Sequence, residues 1–167
     1  MGTRNLTIVK NKGNYVVAQY CQWDGYPSGQ GLTVLEFVRD KMKPRKFLAG
    51  LKAIVPVTDK IVEEAWKSVG ATGNMVSLDI SDKFEKTFPS LHRNAGAKIL
   101  EMIQKEKGVL IKTDLEFWDD SLFCEWAYVV DLDAKTLSVY TNGKTLVKEW
   151  AFAALPSNEE FCDALGE

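Results

Sequence analysis

Two hairpin signatures sit near opposite ends of this chain, and together they leave little freedom in fold class. Residues 6–10 and 15–20 are rich in β-branched and aromatic side chains and are separated by Asn11-Lys12-Gly13-Asn14, a sequence that turns one run back on the other. The second signature is Asn142-Gly143, between a strand pattern over 136–140 and another over 145–150. Residues 122–131 carry the strongest strand pattern, and Leu132-Asp133-Ala134 turns it into the next. A three-stranded meander therefore closes the chain.

Helical signals fill the middle. Thr33-Val34-Leu35-Glu36 reads as a capping box, hydroxyl and carboxylate meeting free amides at a helix start. That helix stops before Pro44. A second is expected over 45–51, and a third, capped by Thr58 or Asp59, ends at Gly70. Residues 71–74 form a loop, and 79–90 read as irregular or weakly helical with a break at Pro89. Asn94 is the expected cap of a longer helix carrying Ala97, Ile99, Leu100 and Ile103 at helical spacing up to Lys107-Gly108. Ser157-Asn158-Glu159-Glu160 is a second capping box. The layout predicts an α+β fold, one antiparallel sheet made from the N-terminal hairpin and the C-terminal meander with helices packed on one face. At 167 residues it is read as a single domain spanning 1–167.

The connection from Gln19 to Gly31 stands apart from ordinary turn chemistry. It holds three aromatic rings (Tyr20, Trp23, Tyr26), three glutamines (Gln19, Gln22, Gln30) and three glycines (Gly25, Gly29, Gly31), whereas turns are dominated by Gly, Asn, Asp, Ser and Pro. Rings beside side-chain amides suit the stacking and edge recognition of a planar ligand. Ser28-Gly29-Gln30-Gly31-Leu32-Thr33 places glycines ahead of the expected helix start, where free amides would hold an anionic group. Asp24 is the one carboxylate of the loop, either paired with Arg4 across the hairpin or closing an Asx turn at Asp24-Gly25. His92 and Arg93 fall in a second expected loop. The binding residues expected from the sequence are thus Arg4, Gln19, Gln22, Trp23, Asp24, Tyr26, Gly29, Gln30, Gly31, His92 and Arg93. No catalytic residue is assigned. Were there a base it would be His92, oriented by Glu125 or Asp24, with Cys21 as a conceivable nucleophile.

Composition narrows the rest. Three separated cysteines (Cys21, Cys124, Cys162) and one histidine give no metal-ligand spacing and imply reduced thiols, so no metal and no cofactor is expected. No apolar run reaches the length of a membrane span, and the start has neither a secretory pattern nor a myristoylation signal, since Leu6 stands where Ser or Thr is needed. A cytoplasmic protein without membrane association is expected. Residues 1–60 carry ten Lys/Arg against four Asp/Glu, and residues 61–167 eleven against nineteen. The basic excess lies between Arg39 and Lys52. The acidic excess lies between Asp114 and Asp133, where seven carboxylates occur without a Lys or Arg. Opposite patches of this kind usually solvate two surfaces, and they do not point to nucleic acid.

The opening Met1-Gly2-Thr3-Arg4-Asn5-Leu6-Thr7, the loop 18–31 and Phe123-Cys124-Glu125-Trp126-Ala127-Tyr128-Val129-Val130-Asp131 resemble a family of small proteins found in bacteriophages, bacteria and some fungi, for which no activity is established. The resemblance implies a phage-type accessory protein inside the host cell, with interference in host defence as a role. Thr3, the hairpin and Asp24 also resemble the layout of N-terminal-nucleophile hydrolases of the bile-acid-amidase and penicillin-acylase type. There, a nucleophile directly follows the initiator Met; here that position is Gly2, which has nothing to attack with.

Three functions follow as expectations. The first is a non-catalytic protein binding a small planar or anionic ligand, for example by sequestering a nucleotide-like signal. The second is an amide hydrolase of the degenerate kind or a hydrolase using His92. The third is an inhibitor that binds a host protein through the acidic stretch.

Overall fold

The structure is a computed structural model and describes residues 2–167. Strands β1 (Asn5–Asn11) and β2 (Asn14–Cys21) form the expected hairpin. Its two turn residues, Lys12 and Gly13, have φ of 51° and 76°, the left-handed pair that matches the twist of the flanking strands. A helical run over 27–41 follows, in which α1 (Leu32–Glu36) is flanked by wider π turns at Pro27–Gly31 and Phe37–Lys41. Next come α2 (Pro44–Lys52), the two-residue β3 (Val55–Pro56), α3 (Asp59–Ser68) and α4 (Leu78–Thr87). Helix α5 (Ile99–Lys105) leads to β4 (Leu110–Ile111), which pairs with β3. The chain then forms β5 (Trp126–Asp131), β6 (Thr136–Thr141), β7 (Thr145–Ala151) and α6 (Asn158–Ala164).

The α+β class is as expected, and the hairpin and the meander share one sheet, in the order β2-β1-β5-β6-β7. The sheet is not wholly antiparallel: β1 runs parallel to β5, in register from Asn5 opposite Trp126 to Lys10 opposite Asp131. Tight turns force antiparallel neighbours, and the three pairs joined in this way, β1–β2, β5–β6 and β6–β7, obey. The long helical connection between β2 and β5 imposes no such rule, and the sequence carries no signal for direction there.

Strand alternation sorts the sheet into two apolar faces. Val9, Val17, Tyr128, Val130, Leu137 and Val139 pack on the helices, against Leu35, Phe37, Phe47, Leu100, Ile103 and Phe161. The opposite face, Leu6, Ile8, Ala18, Ala127 and Val129, is covered by the short helical turn Leu115–Asp119 through buried Trp118. The Trp118 indole N–H donates to the Gly143 carbonyl at 3.1 Å.

Local chemistry explains the remaining differences. Thr33 caps nothing: its hydroxyl donates to the Gly29 carbonyl one turn back, inside a helix that already begins at Pro27. The strand expected from residue 122 starts only at Trp126, because the Asp120 carboxylate accepts from the amides of Leu122 (3.0 Å) and Phe123 (2.8 Å) and holds a turn there. Asn94 is not a cap; a 3-10 turn, Gly96–Lys98, leads into α5. Thr58 and Ser157 cap as expected, the latter in a complete capping box.

Asp133, in the turn between β5 and β6, accepts from the amides of Lys12 (2.7 Å) and Gly13 (2.8 Å), fastening the first hairpin turn to the second. These two amides hold its carboxyl below the ordinary 3.8. A depressed carboxyl pKa contributes stability that is present above 3.8 and is lost as pH falls through the folded value. Asp133→Ala is therefore expected to lower the melting temperature at neutral pH. In paired melts from pH 7 to 2.5 the gap from the parent closes below pH 3.8; a gap that stays constant in acid would contradict this role.

Candidate functional site

The Gln19–Gly31 connection is built around one buried side chain. The Asn5 amide nitrogen lies 3.3 Å from each of the carbonyls of Thr3, Cys21 and Trp23. Further anchors are Gly25 N–H to Thr3 (3.0 Å), Gln22 N–H to Arg93 (3.2 Å) and the buried Tyr128 hydroxyl to the Gly25 carbonyl (2.7 Å). Asp24 takes φ of 54°, a left-handed geometry that Asp tolerates better than most residues. The loop is thus pinned from the sheet beneath it.

Its backbone cannot serve the anion-holding role expected from the glycines. Gly29 and Gly31 donate to the Tyr26 carbonyl at 3.0 and 3.2 Å, and Gln30 donates to Asp24 at 2.7 Å. The Ser28 amide is taken by the Glu167 carboxylate at 2.8 Å. These glycines lie within helical turns rather than ahead of a helix, which is why their amides are engaged.

The three glutamines diverge. Gln30 accepts from the Ala97 amide at 2.7 Å, joining the loop to the 3-10 turn beside it. Gln22 accepts from the Tyr20 hydroxyl, whose ring packs edge-on against Phe117. Gln19 is buried on the helix-facing side of β2. Of the rings, only Trp23 and Tyr26 are exposed, at 42% and 52%. Arg4 does not meet Asp24; it pairs with Glu125 at 3.8 Å and lies over the Phe123 ring at 4.5 Å.

Beside the loop lies a polar cleft of about 520 Å³. Trp23, Asp24, Gly29 and Gln30 line one side, and Glu85, Asn94 and Lys98 from the helical segment line the other. Nothing in the sequence marks these last three as site residues: Asn94 reads as a helix cap, and Glu85 and Lys98 read as solvated positions. At the cleft the Cys21 thiol is buried, and burial raises its pKa, so it is a poor thiolate nucleophile. Burial likewise pushes Cys124 up to about 12.

His92 is 2% exposed and belongs to an aromatic cluster with Trp66 and Phe84, whose rings stack at 3.7 Å. Its Nε2 lies 3.1 Å from the Ser81 hydroxyl and its Nδ1 lies 3.9 Å from Glu85. Neither Glu125 nor Asp24 orients it. The Asn94 amide donates to Nδ1 at 3.3 Å, so the neutral ring carries its proton on Nε2 and donates to Ser81. A general base toward that hydroxyl needs the opposite tautomer. Arg93 is exposed and lines a separate cavity with Trp66 and Ser81.

No protein-family model, curated protein or solved structure matches this chain. What its residues do is therefore read from the geometry. At Gly2 a Cβ would fall 2.2 Å from the Gln22 carbonyl oxygen and 2.5 Å from the Trp23 ring, so this backbone has no room for a nucleophile-bearing side chain there. Thr3 is 7% exposed.

The acidic stretch is also largely engaged. Asp114 pairs with Lys112 at 3.0 Å, Asp119 with Lys144 at 2.5 Å, Glu125 with Arg4 and Asp131 with Lys10 at 3.7 Å. Asp120 and Asp133 accept backbone amides. Only Glu116 of the seven has no such partner among the described residues, which leaves little of a continuous anionic surface.

Beneath the loop, three buried oxygens lack a hydrogen-bond partner among the described residues: Asn5 Oδ1, Thr7 Oγ1 and Gln19 Oε1. Thr7 and Gln19 are directly opposed across β1 and β2, and Asn5 is opposed to Cys21, so all share the helix-facing side of the sheet. An unpartnered buried oxygen costs about 1–3 kcal/mol. Thr7→Val, nearly equal in shape, is expected to raise stability by about 1 kcal/mol in denaturant melts; a loss of that size would show that the hydroxyl has a partner such as an ordered water.

Burial holds the His92 imidazole below its ordinary 6.5, with Arg93 adding to the effect and Glu85 and Asp82 opposing it. Between the folded value and 6.5 the unfolded chain binds more protons, so this contribution to stability is lost as pH falls from 6.5 downward. His92→Gln is expected to flatten the fall in melting temperature between pH 7 and 5. An unchanged slope would remove His92 as its source.

Proposed function

We propose that this protein binds a small polar ligand without transforming it, in the cleft between the Trp23 loop and the Glu85–Lys98 segment. The observation that supports this reading is the convergence, on one concavity, of an exposed indole, two carboxylates, two side-chain amides and an ammonium from separate parts of the chain. Trp23 supplies a stacking face. Asp24 and Glu85 accept N–H donors from a ring edge or an amine, and Asn94 can both donate and accept. Lys98 is the cation available to an anionic group, the role the loop amides cannot fill. A nucleotide-like signal combines a planar base, donor edges and phosphate, and its sequestration is the specific function this cleft would serve.

Native mass spectrometry of the protein purified from cells, before and after denaturation, tests the proposal. The expected result is a small molecule released on unfolding. Trp23→Ala should then weaken binding of that molecule about tenfold, the order of one lost base–aromatic stack. An empty protein, or an affinity indifferent to both Trp23→Ala and Lys98→Glu, would count against it.

A second reading rests on the contact between Ser81 and His92 with Glu85 nearby. It makes the protein a serine hydrolase, and it requires the imidazole to exchange tautomers. Labelling of Ser81 by a fluorophosphonate probe, abolished in His92→Gln, would favour it. An unlabelled wild-type protein would dismiss it.

A further inference from the structure

At the opposite end of β1 from the polar cleft, a cavity of about 460 Å³ lies between α2 and the turn that joins β5 to β6. Its walls are Val38, Met42, Phe47, Leu48, Leu132 and Phe152, and polar side chains enter only as Asn11 and Lys135. The volume falls in the range of small-molecule sites, which are mainly apolar with a few placed polar groups. Phe47 is fully buried at its base, whereas Leu48 is 38% exposed.

The one charged side chain that lines this cavity, among the described residues, is Lys135. Helical spacing puts Arg45 and Lys52, three residues before and four after Leu48, on either side of it along the α2 surface. Both are exposed, as are Lys43 and Lys135. None of these four cations has an ion-pair partner within 4.0 Å among the described residues, unlike Arg39 and Lys41 just before them, which pair with Asp40 and Glu101. The nearest carboxylates in sequence to Lys135, Asp131 and Asp133, are engaged with backbone amides of their own turn and of the first hairpin. The basic segment 39–52, so conspicuous in the sequence, therefore splits. Its first cations stitch the fold, and its later ones lie exposed on or just before α2, the helix that forms one wall of the cavity.

We infer that this cavity binds a single-chain anionic amphiphile of the fatty-carboxylate class, its chain among Phe47, Leu48, Leu132 and Phe152 and its head group toward Lys135 and Arg45. An apolar interior disfavours a nucleotide or sugar, and Lys135 in the lining, without an ion-pair partner among the described residues and with Arg45 one helical turn from Leu48, favours an acid over a neutral lipid. The site shares no residue with the polar cleft, so its fate is independent of the function proposed above.

The test is titration of the full chain with cis-parinaric acid, read by its fluorescence, and displacement by dodecanoate below its micellar concentration. Saturable one-to-one binding is expected. Leu48→Glu and Lys135→Glu, both at exposed positions, should each weaken it at least tenfold, and Trp23→Ala should leave it unchanged. Dodecanol should compete at least tenfold less well than dodecanoate. Absence of saturable binding, equal competition by the alcohol, or indifference to both cavity variants would overturn the inference. So would sedimentation with anionic phospholipid vesicles without uptake of the monomeric acid, which would mark the basic residues as a surface contact rather than a cavity site.

Discussion

The parallel pairing of β1 with β5 holds this molecule together. It is the one strand pairing between the first hairpin and the meander among the described residues, and both apolar layers of the protein are laid across it. Ile8 and Val129 are opposed on the face covered by Trp118, while Val9 and Val130 are opposed on the face covered by the helices. The candidate cleft depends on the same seam. Asn5, at the start of β1, gathers the loop carbonyls, and Tyr128, in the middle of β5, grips Gly25 from below. A shift of one residue along this ladder would exchange the faces of β1 and turn Asn5 away from the loop it organises.

Much of the architecture was legible because it rests on local chemistry. Asn142-Gly143 and Lys12-Gly13 dictate their turns, and Thr58 and Ser157 stop the chain at helix starts with a hydroxyl aimed at an amide. What the sequence conceals is set by distant partners. Thr33 has the look of a cap, yet Pro27 begins the helix two turns sooner. Asp120 looks like a loop acid, but it captures two amides and erases the first part of a strand. The direction of β1 against β5 has no local signature at all.

The candidate site shows the same division. Its unusual loop was conspicuous from composition, and Trp23, Asp24, Gly29 and Gln30 do reach one cleft. The roles within the loop were not legible, because a glutamine in a sequence does not reveal whether it reads a ligand or, as Gln30 does, holds the amide of Ala97. The facing wall of Glu85, Asn94 and Lys98 comes from segments whose own pattern is that of ordinary exposed helix and turn. Nor does a lone histidine reveal its tautomer; that is set here by the amide two residues on, at Asn94.

The Asp133 clamp bears on how the chain reaches this state. The turn at Lys12 and Gly13 is completed by a carboxylate some 120 residues later, and β1 has its second neighbour only when β5 is made. A chain emerging in order must therefore carry its first hairpin, apolar on both faces, through most of its synthesis before the partner strand arrives. Pairings of such sequence separation are slow, since a long loop must close before any contact rewards it. The waiting hairpin, with the open side of β1 exposed, is the stretch on which a chaperone or a second nascent chain would first take hold.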